Sequence, residues 1–323
     1  MATASDWIEG ARVRTLPAAA GPVLLGAGSA VGLGAFSFGK TLLALLVALG
    51  LQVGVNYAND YSDGIRGSDQ ERVGPPRLTG GGLAEPKQVL RAAFTSFGIA
   101  AAAGLALTIW SGVWWFLAVG ALALLAAWFY TGGKSPYGYA GLGLSELNVF
   151  LFFGLAATVG TTYAQAHSAP FWLWLAASGI GFSSIALLMI NNTRDIAGDE
   201  RAGKLTLAVR LGDTRSRLSV FILLFWASSF AGLASWGAGV SGGWSFLVFL
   251  VFLVAAIPAF APMLGGAEGK ALLAPLRNAG LFTLAYGVVL GSVLALGSPA
   301  GLQPAATTGP KSAVGVIRVH PGY

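Results

Sequence analysis

Two stretches of the chain concentrate acids beside asparagines: NYANDYSDGIRGSD from Asn56 and NNTRDIAGDERAGK from Asn191. In the first, Asn56 is followed four residues later by Asp60 and then by Asp63; in the second, Asn191, Asp195 and Asp199 stand four apart. On a helix these spacings put each trio on one face, as a ladder of oxygen ligands. Carboxylates stacked at a helix C-terminus oppose the macrodipole and repel one another, so the arrangement asks for a cation. Mg²⁺ suits it, taking a few carboxylates directly or through water and filling its other positions with phosphate oxygens. A solvated helix cap would explain one such trio. Two copies, each with an asparagine one turn deeper in an apolar run where polarity is costly, point to a paired metal and phosphate site. Its ligands would be Asn56, Asp60, Asp63, Asp195 and Asp199, with Asn191 assisting.

The elements that must position these trios are membrane helices. Of 323 residues 55% are hydrophobic and 10% charged, more apolar surface than a soluble domain of this length buries. Apolar runs near the ~20 residues a bilayer requires extend over Pro17 to Phe38, Thr41 to Ala58, Val89 to Trp110, Val113 to Tyr130 and Leu142 to Tyr163. Four more follow, at Phe171 to Asn191, Leu218 to Trp236, Trp244 to Leu264 and Asn278 to Leu296. None alternates with the period of a barrel strand, so the fold class is all-α, about nine transmembrane helices in one bundle. The acid stretches follow the second and sixth runs, the same place in each of two four-span units, with the ninth span added. Residues 1–298 form the membrane domain, and 299–323 a flexible tail without periodicity.

The net charge of +6 lies mostly in short loops, which excludes nucleic acid as the partner and gives topology instead. With the N-terminus in the cytoplasm, Lys40 is the lone basic residue of the outer loops. The expectation is a multi-pass protein of the cytoplasmic (inner) membrane, with the N-terminus and both acid stretches inside and the C-terminus outside. The start lacks the basic residues and cleavage site of a signal peptide, so the first span is expected to be retained. There is no cysteine, which excludes disulfide and thiolate chemistry. His167 and His320 have no second ligand at helical spacing and read as bland.

At these residues the sequence resembles the UbiA superfamily of intramembrane prenyltransferases, over roughly Trp7 to Leu296. Asn56, Asp60 and Asp63, and Asp195 and Asp199, are similar to that family's two aspartate motifs. The chain departs from the pattern at Gly64, four residues beyond Asp60, and either Asp63 or Asp69 completes the first set. ARVRTLPAA at Ala11, GPPRLTGGG at Gly74 and GKLTLAVRLG at Gly203 resemble the branch that acts on 1,4-dihydroxy-2-naphthoate, and Tyr130 with Lys134 is similar to the family's Tyr-x-x-x-Lys element. The resemblance implies a UbiA-like bundle and Mg²⁺-dependent transfer of a polyprenyl group from polyprenyl diphosphate to that aromatic acceptor, with loss of its carboxylate, in menaquinone synthesis.

Such chemistry needs charge neutralised on a diphosphate leaving group. Lys134, nearly alone in its loop, and Arg72, Arg194 and Lys204 are the candidate phosphate donors. For each, a topology determinant at lipid headgroups is the alternative. Tyr130 ends an aromatic-rich span and suits an allylic cation or an interfacial aromatic belt. Glu146, with Asn148, lies inside the fifth run and is a candidate for acceptor orientation or proton handling, or for pairing with an arginine. Arg12 and Arg14 precede the first span, to bind the acceptor carboxylate or to set topology. Two other functions share these features. Another acceptor, such as 4-hydroxybenzoate, would use the same motifs; a cation-coupled transporter would place its acids near the bilayer midplane on broken helices.

Overall fold

The computed structural model describes residues 2–67 and 77–297. Arg72 and Asp69, His320 and the tail 299–323 lie outside the described residues. All regular structure among the described residues is helical. A surface helix α1 (Ala4–Gly10), closed by a capping box between Thr3 and Asp6, leads through a short turn into α2 (Leu16–Gly32). Then come α3 (Phe38–Ile65), α4 (Pro86–Ser111), α5 (Phe116–Phe129), α6 (Leu144–Ala166), α7 (Phe171–Arg201) and the short α8 (Leu207–Leu211). The chain closes with α9 (Asp213–Gly237), α10 (Gly242–Leu264) and α11 (Gly269–Gly297).

Eight of these helical stretches are long and apolar enough to cross a membrane, the segment from α1 through α2 counting as one. The fourth expected span is shorter: Trp114 and Trp115 form a turn before α5, and Gly132 and Gly133 follow it, leaving 14 helical residues. At about 1.5 Å per residue α5 is about 21 Å long. By the same measure α3, with 28 residues, and α7, with 31, reach about 42 and 46 Å and outrun a hydrocarbon core of about 30 Å. Their surplus turns carry the acid stretches past the apolar zone.

The packing repeats as the two four-span units require. α3 lies along α4 as α7 lies along α9, and α2 meets α3 as α6 meets α7. The halves bury differently. The apolar window of α7 is mostly buried, against α6, α9 and α11, while that of α3 is mostly half-buried. Exposed Leu, Phe and Trp over the outer faces mark lipid as the solvent. Small residues set the closest approach: a Cβ on Gly28 of α2 would stand 2.5 Å from the Gly291 carbonyl oxygen of α11. Wide π turns interrupt α6 at Phe150–Ala156 and α11 at Tyr286–Leu290, and the first of them borders the site.

Candidate active site

A cavity of about 660 Å³ lies between the ends of α3 and α7. Its apolar part is walled by Val55 of α3, Ala123 and Ala127 of α5, Phe152 and Phe153 in the π turn of α6, and Leu188 of α7. Its polar part receives Asn56, Asp63, Asn191, Arg194, Asp195, Asp199 and Lys204, together with Arg12 and Tyr130.

On α3 and at its C-cap the polar cavity-facing positions are Gln52, Asn56, Asn59, Asp63 and Arg66. Asp60 is not among them. It is fully buried, and its carboxylate accepts the backbone N–H groups of Leu78 (3.0 Å) and Thr79 (2.8 Å). The oxygen ladder expected from Asn56, Asp60 and Asp63 is therefore split, because the returning turn 77–84 draws Asp60 to the side of the helix. Asn59, which the reading of spacings passed over, faces the cavity instead, and its Oδ1 accepts the Thr131 hydroxyl at 2.7 Å. Asn59 precedes Asp63 by four, just as Asn191 precedes Asp195; that repeated spacing was the signal available for it. Asn56 has a different employment, donating to the Ala11 carbonyl at 2.9 Å and so tying down the segment that carries Arg12. Arg12 sits in the left-handed region at φ 52°, one guanidinium nitrogen buried without a protein partner.

Asp63 is the meeting point of three segments. Lys204, buried in the loop after α7, donates to it at 2.9 Å, and the Tyr139 hydroxyl, from the loop between α5 and α6, donates to the same carboxylate. The Lys204 ammonium lies 4.9 Å from the Tyr139 ring centroid and the Arg66 guanidinium 5.7 Å, so one ring faces two cations. The Tyr139 carbonyl accepts the Leu205 N–H at 3.2 Å. Burial, then the charge of Asp63, pushes the Tyr139 phenol far above its usual range, so it stays the donor. Arg66 also donates to the carbonyls of Thr131 and Gly133, both at 2.5 Å, holding the same loop against α3.

On α7 the trio keeps its helical frame. Arg194 forms a fork on Asp195, Nε to Oδ1 at 2.8 Å and Nη2 to Oδ2 at 2.6 Å, and Nη2 also reaches the Asn191 Oδ1 at 3.0 Å. The Asp199 carbonyl accepts the Lys204 N–H at 2.8 Å, which turns the chain back so that the lysine points at α3.

Besides Asp60, four expected site residues are not at the cavity wall or not described. Lys134 is exposed and outside the lining, since Arg66 holds the loop by its backbone on the other side. Arg14 is exposed and 3.9 Å from Glu9. Glu146 is buried behind the wall, one carboxylate oxygen without a partner, while its neighbours Ser145 and Asn148 face the cavity. Arg72 is not described. Tyr130 does line the cavity, its ring edge-on to Tyr137 at 5.6 Å.

The donor set is hard oxygen: carboxylates and amides from two helices. Among the described residues no three acidic or histidine side chains converge into a self-sufficient metal site. This suits Mg²⁺, which is held by one or two carboxylates and takes the balance from substrate phosphates, better than an ion needing an all-protein cage. Asp63 and Asp195 already carry cationic partners, Lys204 and Arg194. Both helices run unbroken to the acids, unlike the broken midplane helices of a transporter.

The sequence pattern of the UbiA prenyltransferase family matches residues 16–271. A 1,4-dihydroxy-2-naphthoate octaprenyltransferase of Mycobacterium tuberculosis is 48% identical over 298 residues, covering 92% of this chain and 99% of the relative. One of the same name from Escherichia coli is 40% identical over 218 residues, covering 65% and 70%. Among solved structures, a UbiA homolog from Archaeoglobus fulgidus bound to DMAPP and Mg²⁺ aligns with TM-score 0.57 at 17% identity over 87% of this chain and 98% of the other. The apo UbiA homolog from Aeropyrum pernix aligns with TM-score 0.62 at 16% identity, covering 85% and 96%.

Proposed function

We propose that the chain, which belongs to the UbiA prenyltransferase family, transfers a polyprenyl group from polyprenyl diphosphate to 1,4-dihydroxy-2-naphthoate, giving demethylmenaquinol, the reduced form of demethylmenaquinone, for menaquinone synthesis. The observation that carries this is one cavity with acids from both α3 and α7 at its polar end and an apolar wall from α5, α6 and α7. It offers a diphosphate and an isoprenoid chain the two environments they need. Near-full-length identity to relatives named for this acceptor supports the branch.

Asp63, Asp195 and Asp199, with Asn59 and Asn191 beside them, are the groups that would hold Mg²⁺. Bound there, the ion would neutralise the charge that grows on the departing diphosphate. Lys204 and Arg194, each now on a carboxylate, are placed to donate to phosphate oxygens as well. When the C–O bond to diphosphate breaks, the allylic cation left behind lies near the Tyr130 ring, whose face favours positive charge. The apolar wall keeps water from that cation. The ring carbon bearing the carboxylate attacks it, a C–C bond forms, and the carboxylate leaves as CO₂, returning its electron pair to the ring. Arg12, with its unpartnered buried nitrogen, would orient that carboxylate before it leaves. Glu146 is a candidate for holding the proton of an acceptor hydroxyl from behind Ser145.

The positive-inside pattern supports an inner-membrane protein whose N-terminus and acid-bearing end face the cytoplasm, with the C-terminus outside. The test is a membrane assay with one prenyl diphosphate, Mg²⁺ and both acceptors. A prenylated naphthoquinol, recovered as its quinone after oxidation in air, is the expected product, abolished by chelation; prenylated hydroxybenzoate alone would reassign the branch, and no prenyl transfer to either acceptor would overturn the reading.

A further inference from the structure

The turn 77–84 is seated on the end of α3 by three independent features. Leu78 is 1% exposed, wedged where a Cβ on Gly10 would meet its Cδ1 at 2.6 Å and a Tyr57 ring carbon at 3.2 Å. Gly64 lies directly beneath Thr79 and Gly80: a Cβ there would overlap the Thr79 side chain and stand 2.9 Å from the Gly80 nitrogen. Between these, both oxygens of buried Asp60 are taken by the Leu78 and Thr79 N–H groups. The turn is closed on itself by Gly81 N–H to the Arg77 carbonyl (2.9 Å) and by Leu83 and Ala84 N–H to the Leu78 carbonyl (both 2.9 Å). Its first residue, Arg77, lines the cavity.

We propose that Asp60 is a positioning residue: its carboxylate seats the turn 77–84 on α3 and thereby holds Arg77 in the polar wall. A carboxylate whose two oxygens each satisfy a buried backbone N–H leaves those groups orphaned if it turns toward a metal. Gly64, whose missing Cβ leaves room for Thr79 and Gly80, is the other half of the same seat. The inference rests on the prenyltransferase reading only for what Arg77 meets, the diphosphate; the seat itself is independent of it.

The test is hydrogen exchange of the full-length protein in detergent, without Mg²⁺ or prenyl diphosphate, followed by kinetics. In Asp60→Asn an amide NH₂ opposes a backbone N–H, and exchange across 77–84 should rise about tenfold as the turn opens locally; Asp63→Asn should leave it unchanged. Asp60→Asn should also raise KM for prenyl diphosphate, with the Mg²⁺ concentration for half-maximal rate unmoved. Gly64→Ala, which keeps every acid and suits a helix, should reproduce both effects and serves alone if Asp60→Asn does not fold. Unchanged exchange in either variant overturns the proposal, as does a shifted Mg²⁺ requirement in Asp60→Asn. Failure of all prenyl transfer in the unmodified protein would instead remove the functional reading and leave the exchange result standing.

Discussion

The ends of α3 and α7 hold similar side chains in opposite ways. On α7 the cluster is local: Arg194 grips the adjacent Asp195 and reaches back one turn to Asn191, all within one buried helix. On α3 the acids and Asn59 are gripped from other segments. Asp60 is held by the turn 77–84, Asp63 by Tyr139 and Lys204, and Asn59 by Thr131, so three other segments converge on a helix whose apolar stretch is only half-buried. A cluster built inside one helix forms when that helix forms, whereas one built from returning loops exists only when both halves of the bundle have docked.

The strongest challenge to that contrast is to remove a ligand from each side. Asp63→Asn and Asp195→Asn should each cut kcat/KM at least about a thousandfold, about 4 kcal/mol of barrier, in a membrane assay at saturating Mg²⁺. Loss confined to one of them would mean that a single helix end does the work. Next come the cations. Lys204→Met removes the ammonium from buried Asp63 and unlinks the two halves, and should cost about 3 kcal/mol of stability, read as a lowered unfolding temperature in detergent. Arg194→Met breaks a pair within one helix and should lower it less; equal losses would erase the distinction between local and assembled clusters.

Tyr139→Phe sharpens the comparison by keeping the ring under both cations while deleting the donor to Asp63. A hydrogen bond to a charged group contributes about 1.5–3 kcal/mol, so kcat/KM should fall about tenfold or more, whereas a Phe at Tyr130, which touches neither acid in this way, should not alter the Mg²⁺ dependence. The smallest effect concerns pH. Burial pushes the Tyr137 phenol up to about 12, against the Asn148 amide that donates to its oxygen. Its raised value means that the neutral form is the one the fold favours: that contribution is full below about pH 10, the unfolded range, and is lost as pH rises toward 12. Activity and thermal stability followed from pH 7 to 10 should therefore show no Tyr137→Phe difference in shape; an alkaline limb that disappears in the variant would contradict the assignment.

The bundle was readable from the chain because apolar runs and basic loops record membrane crossing residue by residue. The α7 trio was readable for the same reason: its partners lie at helical spacing, and helical spacing is written in the sequence. The α3 side was not. Whether Asp60 or Asn59 faces the cavity depends on how α3 is rotated about its axis, and the seat under Asp60 rests on contacts eighteen residues away in the chain. Tyr139 carried no local signal at all, since its importance is that loops from two halves meet on it. Lys134 was conspicuous by isolation in its loop, yet Arg66 grips that loop by its carbonyls and leaves the lysine outside.

The brevity of α5 bears on the surrounding lipid. A helix of about 21 Å beside partners of twice that length creates hydrophobic mismatch at one flank, where the bilayer must thin or the tryptophans before the helix must reach down to meet it, at a cost of a fraction of a kcal/mol per Å. Because Ala123 and Ala127 of that helix also wall the cavity, membrane thickness acts on the isoprenoid's side of the site. Reconstitution in lipids of graded acyl length would then tune turnover without changing a single residue of the acid clusters.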